Sequence, residues 1–404
     1  MSGDVVIVGG GLAALRAAEW LRLRGFAGFI TMIGDEATAP YNRPPLSKRL
    51  LTGKMRESEL GFQTFTRLAV NMRLGQRAVG LDATRQRVHL ASGEDIPYSH
   101  LVIATGVKPR QLPGAPACDE RVVMLRTLDD FHAFNRLLRG ARRVAVVGGG
   151  FIGCEVAASL RQRSMSVTLI DVAPVLLQRA LGRQLGELLT EVHREVGVDL
   201  RLGTSVERWS TGVSGVSLEL ADGSTVRADA VLVAVGTVPA VDWLAECGVD
   251  TTDGVLCDET CHVVGLDNAV AAGDVARWPN ARFGSEARRV EHWINAVEHG
   301  QAAADSLLDG RTSARPYTPI PRFWSEQHGV RVQSVGMPGI ADRLVLVEGQ
   351  LESRTFVAAG LRGDRIVGAL GFNSPRSMLR LADIIDASNP IPATVAGTRM
   401  TAPR

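Results

Sequence analysis

The stretch VVIVGGGLAALRAAEWL, Val5–Leu21, decides the fold. Val5–Val8 is a β-branched run of strand character. Three glycines follow, and then apolar residues at Leu12, Leu15, Ala18 and Leu21 recur with helical spacing. A second apolar run, Phe29–Ile33, closes on Gly34, Asp35 and Glu36. Strand, glycine turn, helix, strand and acid make one βαβ unit. The plan returns at VAVVGGGFIGCEVAASL, Val144–Leu160, with a following strand Val167–Ile170 that ends on Asp171. The first glycines of the two copies, Gly9 and Gly148, stand 139 residues apart.

Each copy carries a dinucleotide fingerprint: Gly9-x-Gly11-x-x-Ala14 and Gly148-x-Gly150-x-x-Gly153. The first glycine permits the turn, and the second lets backbone approach a pyrophosphate. The third position must be small so that helix and strand pack closely. Phosphates then meet the N–H groups and positive dipole of the helix N-terminus. Asp35 and Asp171 lie about twenty residues further on, placed for a ribose 2′-OH. Two complete copies imply two cofactors that meet, a tightly held flavin and an exchanging nicotinamide. Asp171 selects NADH, since a carboxylate repels a 2′-phosphate. Arg179 reads as a solvated helix charge.

Three further strand ends add to this. Leu101–Ala104 runs into Thr105-Gly106, Val231–Val235 into Gly236 with Pro239 beyond, and Ala269–Ala272 into Gly273-Asp274. The last, read as a strand end before a helix, can hydrogen-bond a polyol while the helix N-terminus faces phosphate.

Length and composition are those of a soluble globular protein of two or three domains: 404 residues, 45% hydrophobic, 22% charged, net charge +2. No strong field points to nucleic acid or a membrane surface. The N-terminus lacks the basic and long apolar regions of a signal peptide, so a cytoplasmic location is expected. Five cysteines, at 118, 154, 247, 257 and 261, form no C-x-x-C pair and read as buried small hydrophobes. The eight histidines show no zinc spacing, so no metal ligand is assigned. Lysine occurs only at Lys48, Lys54 and Lys108, against 42 arginines. A lysine kept in such a chain marks a place where a compact ammonium is needed.

Pro109, Pro113, Gly114 and Pro116 form the expected linker, and alternating segments beyond Pro319 suggest antiparallel strands followed by a short helix, Met378–Ile385.

GGGLAALRA, PYNRPPLSK (Pro40–Lys48), ATG at 104–106, GGGFIGCEVA, AAGDVA and FWSEQ (Phe323–Gln327) occur in this order. Together they resemble the flavoprotein reductases that feed [2Fe–2S] ferredoxins in bacterial Rieske-oxygenase and cytochrome P450 systems, of glutathione-reductase fold. The resemblance implies an α/β fold with two Rossmann-like dinucleotide-binding domains and a C-terminal α+β domain. The expected segments are 1–110 and 239–318 for FAD, 111–238 for NADH and 319–404 for the C-terminal domain. Hydride would pass from NADH to FAD and electrons singly to the ferredoxin, with the protein a monomer or weak homodimer.

By the same resemblance Gly9, Gly11, Ala14, Asp35, Arg43, Ala78, Arg126, Gly273 and Asp274 would hold FAD, with Lys48, Trp293 and Trp324 at its ring. Gly148, Gly150, Ile152, Gly153, Glu155, Asp171 and Gly236 would line the NADH site. Asn42 stands where Asp is frequent, and Ala240 where Asn is usual. Lys48 and Glu155 carry the chemistry: an ammonium stabilises negative charge arriving at the ring, and a carboxylate partner keeps it charged and oriented. The alternatives are an NADH oxidase or rubredoxin reductase, or an NAD-sensing flavoprotein resembling apoptosis-inducing factor.

Overall fold

The computed structural model describes residues 3–62, 68–387 and 398–400. The chain divides into two compact units. One is built from 1–42, 60–108 and 238–321, the other from 43–59, 109–237 and 322–404.

The first unit is centred on a five-stranded parallel sheet in the order Ala269–Ala271, His100–Ile103, Val5–Val8, Ile30–Gly34, Asn71–Leu74. Val5–Val8 is buried along its whole length, as a parallel strand covered on both faces must be. The helix Leu12–Leu23 buries Ala13, Ala14, Ala17 and Ala18 in one cluster with Ala303 and Ala304 of the helix Trp293–Asp309. Alanine at these positions lets backbones approach. A methyl group at Gly300 would lie 2.4 Å from the Ala13 carbonyl oxygen. An antiparallel meander, Ala78–Asp82, Arg87–Leu90 and Asp95–Pro97, belongs to the same unit, as does a small sheet of Val255–Leu256, Ala276–Pro279 and Ala287–Arg289.

The second unit repeats this plan. Its parallel sheet runs Asp199–Leu202, Ser166–Asp171, Arg143–Val147, Ala230–Val233, Val122–Val123. It too carries a meander, Val206–Gly212, Gly215–Leu220 and Thr225–Ala228. The duplication therefore extends past the βαβ core that the sequence displays.

The unit also holds an antiparallel sheet near the C-terminus. Its order is Arg322–Gln327, Val330–Gly336, Arg365–Phe372, Thr355–Arg362, Arg343–Gln350, Thr398–Met400. The alternation expected here fails in two central strands: Thr355–Arg362 and Arg365–Phe372 are buried at six or more consecutive positions. The reason is cover on both faces, including the helix Pro375–Asp386, whose Met378 sulfur would sit 2.6 Å from a methyl group at Gly371.

Candidate functional site

Each glycine loop is shaped by a close backbone approach. Gly9 has φ +134° and Gly148 φ +114°. A methyl group would fall 2.1 Å from the Ala104 oxygen at the first and 2.3 Å from the Ala234 oxygen at the second. Only glycine meets both demands. The helices that follow, Leu12–Leu23 and Phe151–Gln162, begin at Gly11 and Gly150 with neither a side-chain cap nor an acid in the first turn. The helix Leu128–Leu137 shows the ordinary alternative, a capping box between Thr127 and Asp130. Open space surrounds the positions of absent methyl groups at Gly11 and Gly150. Uncapped N–H groups beneath open space fit the pyrophosphate of a dinucleotide, once in each unit.

Ala14 is fully buried at the third fingerprint position, and Asp35 lies exposed past the strand end. In the second loop, Asp171 accepts hydrogen bonds from the backbone N–H groups of Gly149 and, at 2.6 Å, Ala173. It therefore shapes its own loop, a role its spacing does not reveal. Ile152, 42% exposed, presents an apolar surface in the first helical turn, and Gly236 adopts φ +99° beyond the Ala230–Val233 strand. Replacing Asp171 with Asn exchanges an acceptor for a donor opposite these N–H groups. NADH binding should weaken by about 1.5–3 kcal/mol, and discrimination against NADPH should relax. A variant that keeps its NADH KM and still rejects NADPH would show that this carboxylate does not read the ribose.

Lys48 and Glu155 meet within the second unit. Pro44–Ser47 forms a 3-10 turn whose prolines fix the entering backbone, and Lys48 follows it. The Lys48 ammonium donates to Glu155 Oε2 at 2.5 Å. The Ser47 hydroxyl donates to the same oxygen at 2.7 Å, and the Ser325 hydroxyl to Oε1 at 2.6 Å. The Ser159 hydroxyl pins the turn to the Phe151–Gln162 helix by donating to the Ser47 carbonyl at 2.7 Å. Glu155 is 4% exposed and the Lys48 side chain 23%. The carboxylate is thus buried and satisfied, while its cation keeps one open side. Ser47 and Ser325 escape sequence reasoning.

The remaining predicted residues fall in groups. Arg43 donates to the Arg126 carbonyl at 3.0 Å, joining two expected FAD contacts. The Trp293 indole N–H donates to Asn42 Oδ1 at 3.0 Å, so an amide serves there as acceptor. Ala240 accepts from the Thr105 hydroxyl at 2.8 Å through its backbone alone. Trp324 is 36% exposed on its strand, and Ala78 is half-buried opposite Leu90. Arg179 is exposed, as a solvated helix charge should be.

Gly273 and Asp274 open a three-residue 3-10 turn that leads into the strand Ala276–Pro279 instead of the expected helix, and the Gly273 N–H donates to His299 Nδ1 at 3.3 Å. His299 is a further residue the sequence conceals. Its ring stacks on Tyr317 at 4.7 Å between centroids, and burial pushes its pKa down to about 3. Burial likewise lowers His292 and His328 to about 4. The unfolded chain binds protons that these folded sites refuse, so stability falls as pH drops from about 6.5 toward 3. The His299 contribution approaches about 1.4 kcal/mol per pH unit. The Tm should decline steadily between pH 6.5 and 4.5, with a shallower decline in His299→Gln. A flat Tm across that range would contradict neutral burial.

Cys154, Cys257 and Cys261 are buried, and burial pushes all three thiols up, away from thiolate. Cys118 overturns the expectation of five buried cysteines: it is exposed in a proline- and glycine-rich connection, where no sheet or helix covers it. Cys247 is half-buried. Among the described residues no group of three or more His, Cys, Asp or Glu is placed to hold a metal ion. No helix among them is long and apolar enough to cross a membrane.

Comparison with known proteins accords with this geometry. Residues 3–300 match the family model described as pyridine nucleotide-disulphide oxidoreductase, and 322–401 match the reductase C-terminal model. The ferredoxin–NAD(+) reductase component of an anthranilate 1,2-dioxygenase system from Burkholderia cepacia is 37% identical, over 94% of this chain and 93% of that one. Putidaredoxin reductase of Pseudomonas putida is 34% identical, over 98% and 94%. The covalent putidaredoxin reductase–putidaredoxin complex superposes with a TM-score of 0.92 at 31% identity, covering 98% of this chain and 96% of that one. With two fingerprint loops, a C-terminal reductase domain and relatives alike from end to end, the chain belongs to the pyridine nucleotide-disulphide oxidoreductase family, among its ferredoxin–NAD(+) reductases.

Proposed function

We propose that this protein is an FAD-dependent reductase that moves electrons from NADH to a [2Fe–2S] ferredoxin serving an oxygenase or cytochrome P450. The observation that carries the reading is the pair of uncapped glycine loops, one in each unit. FAD, when bound, accepts a hydride from NADH and releases electrons one at a time, a conversion that belongs to the cofactor. The chain supplies binding, orientation and charge.

Gly9, Gly11 and Asp35 receive the adenosine half of FAD, and Gly273 and Asp274 its polyol. Arg43 and Arg126, joined to one another, provide cationic contacts. Gly148, Gly150, Gly153 and Asp171 receive NADH, with Ile152 and Gly236 flanking. Lys48 supplies a fixed positive charge where electrons arrive, and Glu155 keeps that ammonium charged and aimed. The Lys48–Glu155 pair, its carboxylate buried and its ammonium half-buried, itself argues for function, since replacing a desolvated ion pair by apolar side chains is often neutral or stabilising. With its buried cysteines held as thiols, the protein passes electrons on without a dithiol relay. We further propose the division 1–110, 111–238, 239–318 and 319–404, a monomer or weak homodimer, and a cytoplasmic location.

The test is NADH-dependent reduction of cytochrome c with and without candidate [2Fe–2S] ferredoxins, after quantifying bound flavin. One FAD per chain and strongly ferredoxin-dependent turnover are expected, unaffected by thiol-blocking reagents. FMN, or turnover that oxygen alone sustains, would overturn the reading.

A further inference from the structure

Glu155 does not end at Lys48. Its second oxygen, Oε1, accepts from the Ser325 hydroxyl at 2.6 Å. The Gln327 amide nitrogen donates to Ser325 Oγ at 3.0 Å, and Gln327 Oε1 lies 2.9 Å from His193 Nε2. His193 Nδ1 lies 3.2 Å from His328 Nε2. All these residues belong to the second unit. Ser325 and Gln327 are two apart on the strand Arg322–Gln327 and turn the same buried face inward, at 0% and 1% exposure. His193 is wholly buried on the helix Gln178–Glu195.

The charge on Glu155 orders this chain. An ionised carboxylate only accepts, so the Ser325 hydroxyl must donate to it. The Ser325 oxygen is then the acceptor for the Gln327 amide nitrogen, which turns Gln327 Oε1 toward His193. His193 must therefore carry its proton on Nε2, leaving Nδ1 to accept from His328 Nε2. Every donor points toward the carboxylate, and aligned hydrogen bonds of this kind polarise one another. Burial lowers the pKa of both histidines, with Arg161 and His193 adding to the effect at His328, so both rings stay neutral near pH 7.

We propose that His193, Gln327 and Ser325 are positioning residues: their one-directional hydrogen-bond chain fixes the Glu155 carboxylate and, through it, the Lys48 ammonium. This rests on the catalytic reading of Lys48, but its primary test does not depend on turnover. The chain holds three lysines, so holoprotein carrying ¹³Cε-lysine gives three assignable signals, the Lys48 signal being the one lost in Lys48→Met. Lys54, bonded to Gln162 of the same helix as Glu155, and Lys108 report an intact fold.

In Ser325→Ala and His193→Leu the Lys48 signal should move while those of Lys54 and Lys108 stay. Flavin reduction by NADH should slow about tenfold, the equivalent of one ordinary hydrogen bond. His193→Gln, whose amide offers a donor near the place of Nε2, should restore both. An unmoved Lys48 signal in Ser325→Ala and His193→Leu would overturn the proposal. So would a ¹⁵N-histidine spectrum of the unsubstituted protein that places the His193 proton on Nδ1, a measurement that needs no variant to fold. Absence of ferredoxin-dependent turnover would strike the functional reading and leave the lysine and histidine spectra to stand alone.

Discussion

Lys48→Met is expected to slow flavin reduction by NADH by about 10²-fold while most FAD stays bound, the scale seen when one preorganised electrostatic donor is removed. Methionine keeps the length and apolar stem of lysine but not its charge. Negative charge arriving with the hydride then lacks its ammonium. Glu155, 4% exposed, is left with hydroxyl donors alone among the described residues, at a cost of about 1–3 kcal/mol in stability. FAD retention changes less, because its adenosine and pyrophosphate contacts are assigned to other residues. Lys48→Arg should be impaired as well: a planar fork needs more room than a point charge that Glu155, the Ser47 turn and the Pro44 carbonyl already surround. Stopped-flow reduction with bound FAD quantified is the measurement. Near-normal rates in Lys48→Met would reduce this residue to a structural loop charge.

Gly153→Ala should be a strongly damaging single-methyl change in the second glycine loop. Glycine to alanine inside a helix ordinarily gains up to about 1 kcal/mol. Here the added carbon would lie 1.9 Å from the Gly148 carbonyl oxygen and 3.3 Å from Val146 Cγ1. The obstacle is backbone, which cannot swing aside as a side-chain tip does, so the helix must lift away from the loop. A loss of about 1–3 kcal/mol in stability is expected from the overpacking. NADH affinity should fall on the order of tenfold to a hundredfold as the loop opens. FAD content should not change. The first loop already carries Ala14 at the matching position, fully buried, so the two loops tolerate different spacings between helix and turn. Wild-type NADH titration and Tm in Gly153→Ala would refute the steric argument.

The duplicated framework was legible because its cause is local. A glycine forced to positive φ between a buried strand and a helix leaves a pattern in a dozen residues, and Gly9 and Gly148 announce it alike. The Lys48–Glu155 contact was within reach for a different reason: chemistry demanded a carboxylate partner for the ammonium, and Glu155 stood two residues past Gly153 on the helix that the second loop opens. The hydroxyls and amide behind that carboxylate were not legible. Ser325 lies 170 positions from Glu155, and a serine or glutamine on a strand is ordinary. The signal that could have found them is alternation. In Arg322–Gln327 the residues facing inward are Ser325 and Gln327, where an inward face is normally apolar. His299 hid for a similar reason, since a buried histidine inside a helix carries no sequence mark. The Cys118 error came from applying a habit of cysteines in general to a connection with nothing to bury it.

The bare helix starts at Gly11 and Gly150 have a thermodynamic consequence. Neither start has an acceptor side chain of its own, so whatever anion binds there completes the hydrogen bonding of the polypeptide as well as serving as reagent. Folding and dinucleotide binding are then linked by mass action. A ligand that binds only the folded chain stabilises it by about 2.7 kcal/mol at a hundred times its Kd. The nucleotide concentration around this protein accordingly sets two quantities at once: how fast it turns over, and how long it resists unfolding and proteolysis.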